Sequence, residues 1–141
     1  MRVALALLLL LAAPAAASAA AQDSTPRQML EEMGFAPSER EVRRAVERAR
    51  EHPLGSARNP VRVSGPGGEH AYIARLRCAD GAAPRVGQRS SAGVGAFGTI
   101  VDVYPLDCGN AAPGQASLVM DMYHDDHDET QPPPGFTIEP R

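Results

Sequence analysis

The sequence predicts an α+β domain: two N-terminal helices followed by a small, mainly antiparallel four-stranded sheet with one disulfide. Three observations lead to this fold class. Helix-capping patterns precede residue 53, apolar and polar residues alternate after residue 59, and an apparent export signal accompanies a single pair of cysteines. The domain boundaries that follow are a signal peptide at 1–21, a helical segment at 22–58, a disulfide-bearing β domain at 59–130 and a Pro-rich C-terminal tail at 131–141.

The first 21 residues have the pattern of a secretory signal peptide. Arg2 precedes a leucine-rich run from Val3 to Ala13, and Ala and Ser residues then provide small-residue cleavage sites. We expect cleavage after Ala21, which leaves Gln22 as the first mature residue. The alternative is an uncleaved anchor, although the Ala- and Ser-rich half makes this a weak membrane span. We therefore expect a periplasmic or secreted protein with no membrane span after cleavage.

Two helices are expected between residues 22 and 58. The segment Thr25–Gln28 has the spacing of an N-cap, a first-turn proline and a capping-box partner, and Gly34 ends this helix. The second helix begins after Ser38, with Glu41 at the capping-box position. An apolar stripe at helical spacing then consists of Val42, Ala45, Val46 and Ala49.

Four strands, arranged as two hairpins, are expected from residue 59 onward. They show apolar–polar alternation and span residues 61–64, 72–78, 99–106 and 117–123. Gly65–Gly68 is predicted to be the turn of the first hairpin, and a long Gly- and Ser-rich loop is predicted to run from Gly81 to Gly98. The residues Gly135–Ile138 are expected to add an edge strand.

Cys78 and Cys108 are expected to form a disulfide, because an even cysteine count in an exported chain favours pairing. Closing a loop of about 30 residues contributes about 3 to 4 kcal/mol in the chain-entropy model. Each cysteine follows the C-terminal end of a predicted strand. The second and third predicted strands should therefore run in the same direction or not pair directly. Two buried free thiols are the alternative.

The charge composition excludes several functional classes. All 14 basic residues are arginine, so the chain lacks the lysine that P-loop enzymes, protein kinases and Schiff-base enzymes require. The net charge is −3, and no basic tract lies outside the N-terminal helices. We therefore expect no nucleic-acid partner.

The segment from His124 to Glu129 is the most distinctive candidate for chemistry. A transition-metal site would use His124, Asp126, His127 and Asp128, since imidazole and carboxylate groups bind zinc, copper or nickel. The segment lacks the glycine and spacing of an EF-hand. A solvated acidic loop with no cofactor is the interpretation that the sequence favours.

The Gly- and Ser-rich loop is a candidate ligand surface. Its proposed contacts are Arg85, Arg89, Ser90 and Ser91, which precede Gly-rich turns whose amides can hold anions. Gly93–Gly98 matches the dinucleotide fingerprint in spacing, but a strand follows it where that motif requires a helix. An ordinary turn is therefore expected there.

An enzymatic role has little support in the sequence. Asp102 and Asp121 are expected on strands, where they could act in acid–base catalysis or pair with Arg75 or Arg77. No Gly-x-Ser-x-Gly motif is present. The leading hypothesis is a non-enzymatic module of the cell envelope, or a secreted one, that binds a protein or a small ligand. The alternatives are a metal-binding protein and a small hydrolase.

Four segments together resemble a group of small exported bacterial proteins of unknown function. They are 54–63, 71–78, 100–104 and 120–124, and the resemblance covers roughly residues 53 to 138. The resemblance implies that the helical N-terminus and the disulfide-bearing region belong to one chain design. It implies no activity and no site residue.

Overall fold

The computed structural model describes residues 24–141, so the predicted signal peptide lies outside the described residues. The helices are α1 (Pro26–Glu32), α2 (Glu39–Ala49) and α3 (Gly65–Ala74). The strands are β1 (Val61–Arg62), β2 (Leu76–Arg77), β3 (Arg85–Val86), β4 (Ser90–Val94), β5 (Ile100–Asp107), β6 (Gln115–Asp121) and β7 (Thr137–Ile138). None of the helices within 24–141 has the length and apolar character needed to cross a membrane.

The two predicted N-terminal helices are present, and both begin with a capping box. The Thr25 side chain accepts from the Gln28 backbone N–H, and the Ser38 side chain accepts from that of Glu41. The predicted apolar stripe of α2 packs its Ala45 side against Phe97, which is buried. Because the stripe consists of small residues, α2 lies close to the turn that precedes β5.

The segment Gly65–Ala74 is a helix, so the predicted turn and the start of the predicted second strand are wrong. The buried residues of α3 follow the helical spacing of one face: Gly65, Glu69, Tyr72 and Ile73. Because Glu69 is charged, the helical spacing of these buried residues cannot be recognised from the hydrophobic pattern of the sequence. The alternation of Tyr72, Ala74 and Leu76 resembles a strand, although only Leu76–Arg77 is extended.

The main sheet has five strands and is mixed, where the sequence predicts four mainly antiparallel strands. The strand order is β1-β6-β5-β3, and β4 also pairs with β5. The predicted pairing of the third and fourth strands is confirmed, since β5 and β6 are antiparallel neighbours. However, β1 runs parallel to β6, and the predicted long loop contains β3 and β4. The first predicted hairpin is therefore absent.

The Cys78–Cys108 disulfide is present, with a Cα–Cα distance of 5.8 Å. Strand β2 pairs with β7 in a separate two-stranded sheet and not with β5. The expectation that the cysteine-bearing strands do not pair directly is therefore confirmed. A strand is also present near the C-terminus, although it pairs with β2 and not with the edge of the main sheet. Phe136 of the Pro-rich tail is buried in the main core.

One main apolar core lies between α3 and the sheet. Its buried members are Val61, Val63, Tyr72, Ile73, Leu76, Cys78, Tyr104, Leu106, Leu118, Met120 and Phe136. The smaller cluster around Phe97 lies under α2. The candidate site is lined by side chains of α1 and α2, by Arg62 at the end of β1 and by residues 123–127 after β6.

Candidate functional site

A cleft of about 520 Å³ separates α1 and α2 from the segment 123–127 that follows β6. We call it the helix–loop cleft. The residues that line it are Arg27, Gln28, Glu31, Glu39, Val42, Arg43, Arg62, Tyr123, His124, Asp125, Asp126 and His127. Nearly all of these side chains are polar, and charges of both signs are present. A cleft of this size is typical of small-molecule sites, which range from about 300 to 1,000 Å³.

Arg62 reaches the cleft because β1 and β6 are parallel. Their register places Arg62 beside Asp121, and the guanidinium carbon lies 6.0 Å from the centre of the Phe97 ring. Burial lowers the pKa of the Arg62 guanidinium from its usual value, while the Glu129 and Asp121 carboxylates oppose that shift. The Arg62 guanidinium lies more than 4.0 Å from both of these carboxylates, so it forms an ion pair with neither. Within residues 24–141, no other carboxylate lies within 4.0 Å of it. Arg62 is therefore a partly buried cation without a close counter-ion.

The other two arginines of the cleft are already paired. Arg27 contacts Glu31 at 2.7 Å and also donates to the Pro37 carbonyl oxygen at 2.9 Å. Arg43 lies 3.4 Å from Glu39 on the exposed surface of α2. These pairs leave Arg62 as the cation of the cleft that is available to an added anion.

Asp121 and His124 form a pair at the inner wall of the cleft. The Asp121 carboxylate is fully buried and accepts hydrogen bonds from the Thr99 hydroxyl and from the Tyr123 backbone N–H. His124 Nε2 lies 3.5 Å from Asp121 Oδ1, and the imidazole packs edge-on against Phe97 at 5.3 Å. Within residues 24–141, the buried His124 Nε2 has no hydrogen-bond partner, so the two groups are close neighbours that are not hydrogen-bonded.

An imidazole beside a buried carboxylate is an arrangement that general acid–base catalysis uses. A hydrolase with a covalent mechanism would also need a nucleophile within hydrogen-bond reach of that imidazole. In the described part of the chain, no Ser, Thr or Cys side chain is hydrogen-bonded to His124.

Asp125 and Asp126 form the acidic side of the cleft. The Thr25 hydroxyl donates to Asp125 Oδ2 at 2.6 Å, which ties the start of α1 to the loop. Asp125 Oδ1 is buried and has no hydrogen-bond partner within residues 24–141. Asp126 is exposed, and no arginine or histidine of the described chain forms an ion pair with it.

The predicted metal residues do not converge. His127 Nε2 lies 3.3 Å from Glu129 Oε2, and Asp128 pairs with Arg141 at 2.6 Å. His124 turns instead toward Asp121. Across residues 24–141, no three His, Cys, Asp or Glu side chains are grouped as a metal site requires. The metal hypothesis thus gains no support from the geometry of this segment.

The predicted ligand residues of the Gly- and Ser-rich segment are likewise separated. Arg85 pairs with Asp107 at 2.6 Å, whereas Ser90 and Ser91 lie exposed on β4. Arg89 pairs with Asp102 at 3.0 Å, so the predicted pairing of Asp102 with Arg75 or Arg77 is wrong. The four residues belong to the edge of the sheet and do not line one shared cleft.

A second buried acidic group lies behind β5, away from the cleft. Glu69 of α3 is fully buried; its Oε2 accepts from the Tyr104 hydroxyl at 2.8 Å, and its Oε1 has no partner in the described chain. Burial raises the pKa of Glu69 to about 7, and the Asp102 charge adds to this. Arg89 Nη1 lies 3.9 Å from Glu69 and 3.0 Å from Asp102, so two carboxylates share one cation.

Sequence reasoning missed Arg62 of the cleft, Thr99 beside Asp121, and the buried Glu69 outside the cleft. Arg62 occupies the polar position of an alternating strand, and Glu69 lies between the predicted turn at Gly65–Gly68 and the predicted strand at 72–78. Nothing local marks either as special. The one available signal was the helical spacing of Gly65, Glu69 and Tyr72.

Comparisons with protein-family models, curated proteins and solved structures found no match to this chain. The functional conclusion is therefore drawn from the residues and geometry described above.

Proposed function

We propose that this protein is an exported binding module, periplasmic or secreted, whose ligand site is the helix–loop cleft. The ligand is a small polar molecule with an anionic group that contacts Arg62. One observation carries the proposal: Arg62 is a partly buried cation of the cleft without an ion pair, while Arg27 and Arg43 are paired.

Burying a charged side chain costs free energy unless an opposite charge or hydrogen bonds compensate it. Removing a guanidinium from water without a counter-ion is unfavourable, and a bound carboxylate or phosphate offsets that cost. The planar guanidinium offers paired N–H donors that match the two oxygens of such a group. The Phe97 ring lies beside both side chains: the Arg62 guanidinium carbon is 6.0 Å from its centre, and the His124 ring meets it edge-on at 5.3 Å.

The disulfide supports the exported part of the proposal. Disulfides persist in oxidising compartments such as the periplasm and the extracellular space. Cys78 and Cys108 account for both cysteines of the chain. The disulfide is thus compatible with a protein that functions outside the cytoplasm.

The proposal is tested by titrating the mature chain with sodium acetate and, separately, sodium phosphate at constant ionic strength. Backbone amide NMR shifts are recorded for wild type, Arg62→Gln and Arg43→Gln. We expect saturable shifts at residues 123–127 in the wild type. The Arg62→Gln variant should bind the better of the two probes at least about tenfold more weakly, because a charge-assisted contact is worth about 1.5 to 3 kcal/mol.

Arg43→Gln is the matched control, since it removes a cleft arginine that is exposed and already paired with Glu39. Its affinity should equal that of the wild type. Saturable shifts of equal affinity in the wild type and in Arg62→Gln would contradict the proposal, as would a lack of saturation both with these probes and with the amino carboxylates tested below. Far-UV circular dichroism shows whether each variant keeps its fold.

A further inference from the structure

We propose that the ligand of the helix–loop cleft is a zwitterion, a small amino carboxylate whose ammonium group contacts the Asp125–Asp126 side of the cleft. This inference rests on the proposed function and narrows its ligand class. The anionic group would contact Arg62, as argued above, and the ammonium group would lie at the loop.

The charges that line the cleft form the first step of the argument. Internal ion pairs involve Arg27 with Glu31 and Arg43 with Glu39. Among the described residues, the lining charges left without an ion pair are one cation and two carboxylates: Arg62, Asp125 and Asp126. A cleft that offers both signs is complementary to a ligand that carries both.

The Asp125 carboxylate supplies the second step. Its Oδ2 accepts from the Thr25 hydroxyl, whereas its Oδ1 is buried and lacks a donor. A buried carboxylate oxygen without a donor is costly, and an ammonium group provides three N–H donors. Asp125 and the exposed Asp126 both line the cleft, so the loop presents two carboxylates to an ammonium group there.

Ligands with one charge fit this arrangement less well. A simple anion such as acetate would satisfy Arg62 but would also lie in the field of Asp125 and Asp126. A simple amine would satisfy the aspartates but would meet the Arg62 cation. An amino carboxylate matches both groups at once, and the joined contacts avoid a second loss of translational freedom.

The experiment compares the affinities of the mature protein for acetate, methylammonium, glycine, β-alanine, 4-aminobutanoate and 6-aminohexanoate at constant ionic strength. Increasing the chain length varies the distance between the two charges of the probe. At least one amino carboxylate should bind at least about tenfold more tightly than acetate. The best length reports the spacing between Arg62 and the loop aspartates.

Variants separate the two contacts. The double change Asp125→Asn and Asp126→Asn should remove the advantage of the best amino carboxylate over acetate and leave acetate affinity equal or higher. Asparagine can still accept from the Thr25 hydroxyl, so the loop contact with α1 is kept. Asp80→Asn is the matched control, because Asp80 accepts only from the Ala82 backbone and lies outside the cleft.

Two failures are distinguishable. If acetate binds through Arg62 as tightly as every amino carboxylate, the zwitterion inference is wrong and the proposed function stands. If no anion in either titration, acetate, phosphate or amino carboxylate, binds saturably, both are wrong.

Discussion

Replacing Glu69 by glutamine should flatten the pH dependence of the free energy of unfolding between pH 4.5 and about 7. Burial raises the pKa of Glu69 from 4.5 to about 7, so the folded state retains a proton that the unfolded state releases. Stability from this group is fully present below pH 4.5 and is lost as the pH rises through 7. Wild-type protein should therefore be less stable at pH 8 than at pH 5.

The magnitude follows from the size of the shift. One pKa unit corresponds to about 1.4 kcal/mol, so the rise from 4.5 to about 7 corresponds to about 3 kcal/mol of stability lost across this window. Solvent screening reduces this free-energy value only a little, because Glu69 is fully buried. Burial is the largest cause of the raised pKa; the charges of Asp102 and Asp121 add to it, and Tyr104 and Arg89 oppose it. Glutamine can still accept from the Tyr104 hydroxyl.

The assay is urea unfolding of wild type, Glu69→Gln and Glu32→Gln, followed by far-UV circular dichroism at several pH values from 4.5 to 8.5 with the disulfide intact. Glu32 is exposed at the end of α1 and is the matched control. The difference between wild type and Glu69→Gln should grow in favour of the variant as the pH rises. Parallel stability curves for these two proteins across the window would show that Glu69 does not retain an extra proton in the folded state.

Two further predictions concern packing and the disulfide. Gly95→Ala should lower the free energy of unfolding by about 1 to 3 kcal/mol, because a Cβ at this position would lie 2.2 Å from Val101 Cγ1. Gly67→Ala should instead stabilise α3 by up to about 1 kcal/mol, because no atom lies within 4 Å of the added Cβ. Equal urea midpoints for the two variants would contradict this prediction. Replacing Cys78 and Cys108 together by serine should lower the free energy of unfolding by about 3 to 4 kcal/mol, measured by urea denaturation, since the bridge closes 30 residues of chain; a loss below about 1 kcal/mol would not fit that model.

Features set by neighbouring residues could be predicted from the sequence. The capping boxes at Thr25 and Ser38 involve residues three positions apart, so the helix starts follow from local chemistry. The pairing of β5 with β6 follows from two alternating segments, and the disulfide follows from the cysteine count. Each of these depends on a strong signal within one or two segments.

Features set by distant contacts could not be predicted. Gly65, Pro66 and Gly68 favour a turn locally, yet burial of Tyr72 and Ile73 against the sheet stabilises a helix. The polar residue at position 69 is fully buried, which a hydrophobic pattern cannot show. Tertiary packing therefore overrides the local preference in α3.

Only part of the candidate site could be predicted from the sequence, for the same reason. The segment from His124 to Glu129 stands out by composition, and part of it does line the helix–loop cleft. Arg62 lies at the cleft because β1 pairs in parallel with β6, and no local sequence pattern predicts that pairing. The metal interpretation grouped residues that are adjacent in sequence, whereas their side chains contact different partners.

Native mass spectrometry of the protein recovered from its own cell envelope tests the central claim most directly, with wild type, Arg62→Gln and Arg43→Gln compared. We predict an oxidised chain that begins at Gln22 and carries a small-molecule adduct in the wild type and in Arg43→Gln but not in Arg62→Gln. The same adduct on all three proteins, or a wild-type protein without one, would contradict the assignment of the ligand site to Arg62 and the helix–loop cleft.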